Sequence, residues 1–199
     1  MGKGKGKKRQ KSLMVEQVKR PMRERDPYTF DPFETWKWMK YESSHTVDPA
    51  KFVETYKNRL FFVGSDSDQK NGKCTFGSVI IAYDYDKEAC CGHGAVAIRH
   101  IDKRRIIPEE ALSARLTVEV QRTIEACKFV EETLLNLSDE DHDYTSNIGG
   151  VTIDVNKSDK HKSGRFRDAL VGMVMAYGWE VFIKPDAWAS SKVADRKVK

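Results

Sequence analysis

The apolar and polar positions of this chain change their period several times. Residues 60–66, 74–85 and 95–101 are short runs rich in Val, Ile, Phe and Tyr. The turn-rich links GSDSDQKNGK (64–73) and DKEACCGHG (86–94) separate them. Such spacing predicts three strands joined by hairpins. The period then lengthens. Leu112, Leu116, Val120, Thr123, Cys127, Val130 and Leu134 recur at helical spacing, which predicts a long amphipathic helix over about 109–137. A fourth strand is expected at 150–155. A helix from Ser163-Gly164 to Tyr177 follows, stopping at Gly178. A fifth strand at 179–184 ends at Pro185. Asp186 reads as the N-cap of a last helix over about 187–196. Upstream, Asp31-Pro32-Phe33-Glu34 and Asp48-Pro49 carry the N-cap and first-position Pro of two short helices, the second reaching about Arg59.

The expected order after residue 60 is β-β-β-α-β-α-β-α. Hairpins make the first three strands antiparallel neighbours, and crossover helices make the last two parallel to the first. The fold class is therefore α/β, a mixed five-stranded sheet with an N-terminal helical extension. Phe33, Trp36, Trp38 and Met39 in that extension are expected to pack on the main domain, with base stacking as the alternative use of exposed rings.

Composition divides the chain. The first 25 residues hold ten Lys/Arg against two Glu, a net +8, which leaves −3 on the remaining 174 residues of a chain whose total is +5. Gly alternating with Lys buries nothing, so 1–25 is expected to be a disordered basic arm able to meet polyanions. The expected division is arm 1–25, helical extension 26–59 and main domain 60–199. No apolar run reaches the ~18 residues a membrane helix needs. Four cysteines with no bridging pattern suit reduced thiols and a cytoplasmic location.

Candidate chemistry lies in the acids. Asp66 and Asp154 each close an apolar strand segment. In the expected topology those strands are parallel neighbours, about 4.8 Å apart, at the sheet edge where open α/β sheets bind ligands. Two carboxylates so placed repel unless a cation lies between them. Glu119 falls on the edge of the long helix's apolar stripe, flanked by Arg115 and Arg122, and Asp195 lies on the last helix with Trp188 and Ser191 on the same face. An ordinary surface acid is the bland reading of each one alone.

Acids at strand one, the first helix, strand four and the last helix resemble the ribonuclease H fold over about residues 60–199. Its catalytic set maps onto Asp66, Glu119, Asp154 and Asp195. The strings GSDS (64–67), RLTVEV (115–120), TIDVNKSDKHKSG (152–164) and LVGMVMAYGWEVFIKPDAWASSKVADR (170–196) are further similar to the bacterial YkuK-type family, within the ribonuclease H-like group. Asp68 separates Ser67 from Gln69 where that family has them adjacent, and Thr152 stands in place of a His. The resemblance implies two Mg²⁺ or Mn²⁺ ions held mainly by Asp66 and Asp154, with Glu119 and Asp195 completing the ligands. Lys192, Arg196 and Lys197 would steady a nucleic-acid phosphate. An all-carboxylate set suits hard cations that prefer oxygen.

A metal-dependent nuclease, or a related phosphoryl-transfer enzyme acting on RNA or DNA, is the first functional expectation. A non-catalytic nucleic-acid-binding module and a protein-interaction scaffold are the alternatives. Cys90-Cys91-Gly92-His93 is half a zinc pattern and reads as a hairpin turn, and the acidic loop 139–143 reads as a solvated connection. The chain has no phosphate-cradling glycine motif and no GxSxG, so neither a nucleotide cofactor nor a serine hydrolase is indicated.

Overall fold

The computed structural model describes residues 31–70, 73–86, 88–105, 112–158 and 160–198. The basic arm expected at 1–25 lies outside them. The elements are β1 (Met39–Lys40), α1 (Pro49–Thr55), β2 (Leu60–Lys70), β3 (Lys73–Asp86), β4 (Cys91–Arg105), α2 (Leu112–Leu137), β5 (Ile148–Asn156), α3 (Arg167–Met175), β6 (Val181–Lys184), a π-helical segment Ala189–Ala194, and α4 (Asp195–Val198). The strands form one mixed sheet in the order β1-β4-β3-β2-β5-β6. The β2-β3-β4 meander is antiparallel, while β5 runs parallel to β2 and β6 parallel to β5. This is the expected topology with a sixth strand added. Met39–Lys40 pairs with Ile98–Arg99, a stretch too short to show an alternating pattern in sequence.

Both faces of the sheet are covered, which is why β2, β3 and β5 read as nearly continuous apolar runs. Phe61, Val63, Ile80, Ala82, Val151, Ile153 and Val155 face the main core with Leu116, Val120, Cys127, Val130 and Leu134 of α2. Val79 and Ile81 point the other way, against Ala189 and Ala194 of the C-terminal segment, where Phe62 meets Trp188 at 5.1 Å between ring centroids.

Two glycines let that C-terminal segment lie flat. A Cβ on Gly64 would stand 2.3 Å from Thr152 Oγ1 and 2.8 Å from the Ser190 amide; one on Gly77 would stand 2.7 Å from Val198 Cγ1. Thr152 Oγ1 accepts from the Ser190 amide at 2.9 Å, pinning the segment to β5.

Several expectations need correction. The stretch at Phe33 is a 3-10 turn over Phe33–Thr35 without a side-chain cap, not an α-helix. Its aromatics are buried: Phe33 stacks on Phe129 of α2 and Trp36 on His100, so they pack rather than await bases. The second helix is as expected at its start, where Asp48 Oδ1 accepts from the Ala50 amide at 2.9 Å, but it stops at Thr55. The hairpin strands run further than their apolar runs. Residues 67–70 and 91–94, although polar or turn-forming, remain in the ladder because the neighbouring strand supplies their backbone partners. The terminal helix is π-helical for six residues before Asp195, so its wider turn takes Trp188, Ser191 and Asp195 out of a single α-helical stripe. Asp186 does not cap it; its carboxylate pairs with Lys157 at 3.3 Å. Among the described residues, no helix is long and apolar enough to cross a membrane.

Candidate functional site

The pairing of β2 with β5 ends at Ser65 beside Ile153. One residue further along each strand stand Asp66 and Asp154. Asp66 is therefore not at the end of its strand, since β2 continues to Lys70 on β3 alone. It sits where β2 and β5 part, and that opening is a cleft of about 400 Å³. Asp66, Glu119, Asp154 and Asp195 all line it, together with Ser67, Asp68, Arg115, Ser163 and Lys184. The four acids come from four different elements. β2 and β5 deliver two as neighbours, α2 delivers Glu119, and the C-terminal segment delivers Asp195 over the glycine-thinned face.

The site holds more negative charge than its surroundings neutralise. Asp66 is buried and its carboxyl is pushed up to about 7, first by loss of water, then by the charge of Asp154, with Asp195 adding to it. Asp195 also lies within hydrogen-bonding reach of Asp66. The Ser67 amide donates to Asp66 Oδ1 at 2.8 Å and offsets part of that shift. Burial lifts Glu119 to about 8, with Asp66 contributing and Arg115 and Ser67 opposing.

Two neighbours hold Glu119 by one oxygen. Ser67 Oγ donates to its Oε1 at 2.5 Å, and Arg115 Nη1 lies 3.6 Å from the same oxygen. Arg115 Nη1 also donates to Ser67 Oγ at 2.7 Å and to the Ser67 carbonyl at 2.9 Å. Asp154 receives Lys184 Nζ on Oδ2 at 2.8 Å, while its Oδ1 is buried without a hydrogen-bond partner. An orphaned carboxylate oxygen beside Asp66 is what an oxygen-seeking cation would complete, so the donor set fits Mg²⁺ or Mn²⁺ chemically. Among the described residues, however, no three His, Cys, Asp or Glu side chains already form a metal cage.

The basic residues fall differently. Lys192 and Arg196 are exposed and do not line the cleft, and the charge of Arg196 acts on Tyr41. Lys197 turns away, its ammonium 4.2 Å from the Tyr41 ring centroid and 3.5 Å from Glu42 Oε2. Six polar residues of the cleft were not singled out from the sequence as part of it: Ser67, Asp68, Gln69, Arg115, Ser163 and Lys184. Arg115 had a visible signal, its position four residues before Glu119. Lys184 had none, because only the tertiary pairing of β5 with β6 brings it to Asp154. At the far end of the β3–β4 hairpin, Cys91 Sγ lies 3.7 Å from His93 Nε2, and Cys90 adopts a left-handed φ of 52° in the turn. Cys74 is buried elsewhere in the sheet.

The ribonuclease H-like family profile matches residues 48–199, which takes in α1, five of the six strands and every acid of the cleft. No curated protein and no solved structure matches the chain. The profile, the mixed sheet order and the acids gathered where β2 leaves β5 agree: this chain belongs to the ribonuclease H-like family, a group of nuclease-like, nucleic-acid-related character.

Proposed function

We propose that the protein is a divalent-metal-dependent phosphodiester hydrolase acting on RNA or DNA, with Asp66, Glu119, Asp154 and Asp195 as its catalytic carboxylates. The observation that carries this reading is the unneutralised cleft: Asp66 between two further acids, with a buried oxygen of Asp154 left without a partner. A packed core gains nothing from such repulsion, and a substrate phosphate would be repelled by it unless a cation intervened. Asp66, Asp154 and Asp195 would hold the ion. When bound, a Mg²⁺ or Mn²⁺ ion supplies a Lewis acid that polarises the phosphoryl oxygen and lowers the pKa of its water.

The chain's own residues do the rest. Ser67 and Arg115 hold Glu119 still, so that its carboxyl meets the cleft at a fixed angle. Arg115, at the cleft wall, presents a fork suited to a phosphate oxygen. The C-terminal string KPDAWASSKVADR supports membership of the YkuK-type branch.

The test is direct. Asp66→Asn with Asp154→Asn should abolish Mn²⁺-dependent cleavage of single-stranded, duplex and hybrid substrates, with an unchanged circular-dichroism spectrum. A wild-type protein that cleaves none of them, or a double variant that cleaves equally well, would overturn the reading. The lack of a ready-made cage among the described residues favours a second reading, a non-catalytic nucleic-acid-binding module. That module would bind nucleic acid equally well in EDTA and in Mn²⁺, whereas the hydrolase would bind better with the ion.

A further inference from the structure

We propose that the open edge of β4 is a docking strand for a partner protein, which adds to it an extended segment with an apolar centre and acidic ends. The inference lies outside the carboxylate cleft and does not depend on it.

The pairing of β1 with β4 covers only Ile98 and Arg99, and the Tyr41 amide adds one bond, to the Ala97 carbonyl at 3.1 Å. Among the described residues, no strand pairs with Cys91–Val96 on that side, although β3 lies along the other side of β4. An open edge is a template for another chain, and proteins commonly guard it with charged side chains or Pro. Residues 91–97, CGHGAVA, carry no Lys, Arg, Asp, Glu or Pro, whereas 99–105, RHIDKRR, are mostly charged.

A groove of about 640 Å³ lies on this edge. Its lining shows that it straddles the strand. Successive side chains of a strand point to opposite faces, yet Ala95, Val96, Ala97 and Ile98 all line the groove. Its floor is therefore the edge itself. One wall is Tyr41, Trp188 and Val193, which pack with the cluster under the C-terminal segment. The other is Val47, Phe52 and Tyr56, which pack with the main core. An added strand would set alternate side chains against each wall, so apolar residues suit both of its faces. The backbone is also aligned for it. The Ala97 carbonyl faces β1, and residues two apart in a ladder share a side, so the amide and carbonyl of Ala95 point into the groove.

Charge chooses the occupant. Lys40 and Lys51 line the groove and are exposed. Glu42 lines it too, but meets Lys197 at 3.5 Å. Carboxylates at the ends of an incoming segment complement the two ammonium groups. The same lysines disfavour the chain's own first 25 residues, whose net charge is +8. A second copy paired edge to edge would offer CGHGAVA, which has no acid for either Lys.

Selection of short random peptides displayed on phage against the full chain tests this. Enriched sequences should carry Val, Ile, Phe or Tyr at their centre and Asp or Glu at their ends. Made as fluorescein-labelled peptides, they should bind the wild type by anisotropy, and N-methylation of alternate amides should weaken that binding roughly tenfold. Ala95→Pro removes one groove-facing amide and none that faces β3, so it should weaken binding by a similar factor with an unchanged circular-dichroism spectrum. Lys40→Glu with Lys51→Glu should transfer the preference to peptides with Lys or Arg at their ends. No enrichment, enrichment without acidic ends, or binding indifferent to N-methylation overturns the inference. So does a dimer in sedimentation velocity that Ala95→Pro converts to monomer, since a second copy then holds the edge. The N-methylated peptides decide the matter by themselves if Ala95→Pro does not fold.

Discussion

Helix α2 carries two buried charges three residues apart, and the protein treats them in opposite ways. Arg122 is fully enclosed and meets a counter-charge, although among the described residues its Nε and Nη2 have no hydrogen-bond partner. Asp102 pairs with it at 3.1 Å, and the ring of Trp36 lies 4.6 Å from the guanidinium carbon. Burial lowers the guanidinium to about 10. Burial alone would raise the Asp102 carboxyl, but Arg104 and Arg122 outweigh it and hold it below its usual range. His100, stacked on Trp36 at 4.8 Å, is pushed down to about 4 by burial and stays neutral, adding no third positive charge to Arg122 and Arg104. Glu119 faces the cleft, where the acids around it outnumber the cations. One cluster ties the N-terminal segment, α2 and β4 into a single core. The other stores repulsion. The difference separates a charge that arrives with its counter-charge from a group of like charges that raise one another's pKa, the arrangement the proposed function uses.

That contrast can be broken at four points. The largest effect is expected from Arg122→Ala. It leaves Asp102 to Arg104 alone, 2.5 Å away, and removes the buried surface on which Trp36 packs, so stability should drop by about 2–5 kcal/mol. Urea unfolding measures this; a loss below about 1 kcal/mol would mean the cluster is not the anchor its burial suggests.

Next is Gly64→Ala. Its methyl group collides with Thr152 and the Ser190 backbone, which should cost about 1–3 kcal/mol and lift Asp195 away from Asp66. Mn²⁺ affinity should fall along with stability, a coupling that a purely structural glycine would not show.

The third is the response to pH without metal. The folded pKa of Asp66, about 7, and of Glu119, about 8, both exceed their ordinary values. The folded state thus holds more protons than the unfolded one between about pH 4 and pH 8, and its stability falls as pH rises through that window. Asp66→Asn in EDTA should flatten the decline, by on the order of 2 kcal/mol at pH 8. His100 works with the opposite sign. Its lowered pKa weakens the fold as pH falls from about 6.5 toward 4. Thermal melts across both windows, with Asp66→Asn and His100→Phe, separate the two clusters.

The smallest effect is expected from Lys197→Ala. Its ammonium serves Tyr41 and Glu42, so stability should change by no more than about 1 kcal/mol. Nucleic-acid affinity should hold, while Lys192→Ala with Arg196→Ala should weaken it and reduce its salt dependence. Fluorescence anisotropy at two salt concentrations distinguishes these cases.

Much of this molecule was legible as pattern. The stripe from Leu116 to Leu134 placed α2 and its buried face, and the change from period 2 to period 3.6 gave the order of elements. Hairpin and crossover rules then made β2 and β5 parallel neighbours, which brought Asp66 beside Asp154 before any coordinate was known. These features are local, or follow from chain connectivity, and need no knowledge of what packs where. Other features depend on contacts between residues far apart in the chain. β1 exists because β4 offers Met39–Lys40 a partner. The polar ends of β2 and β4 stay extended because β3 satisfies their backbone. Lys184 reaches Asp154 across 30 positions, and Ser67 reaches Glu119 across 52. The sequence by itself determined which carboxylates would gather at one edge of the sheet. Only the tertiary structure decided how those carboxylates are hydrogen-bonded and desolvated, because that is set between segments that meet only in the folded chain.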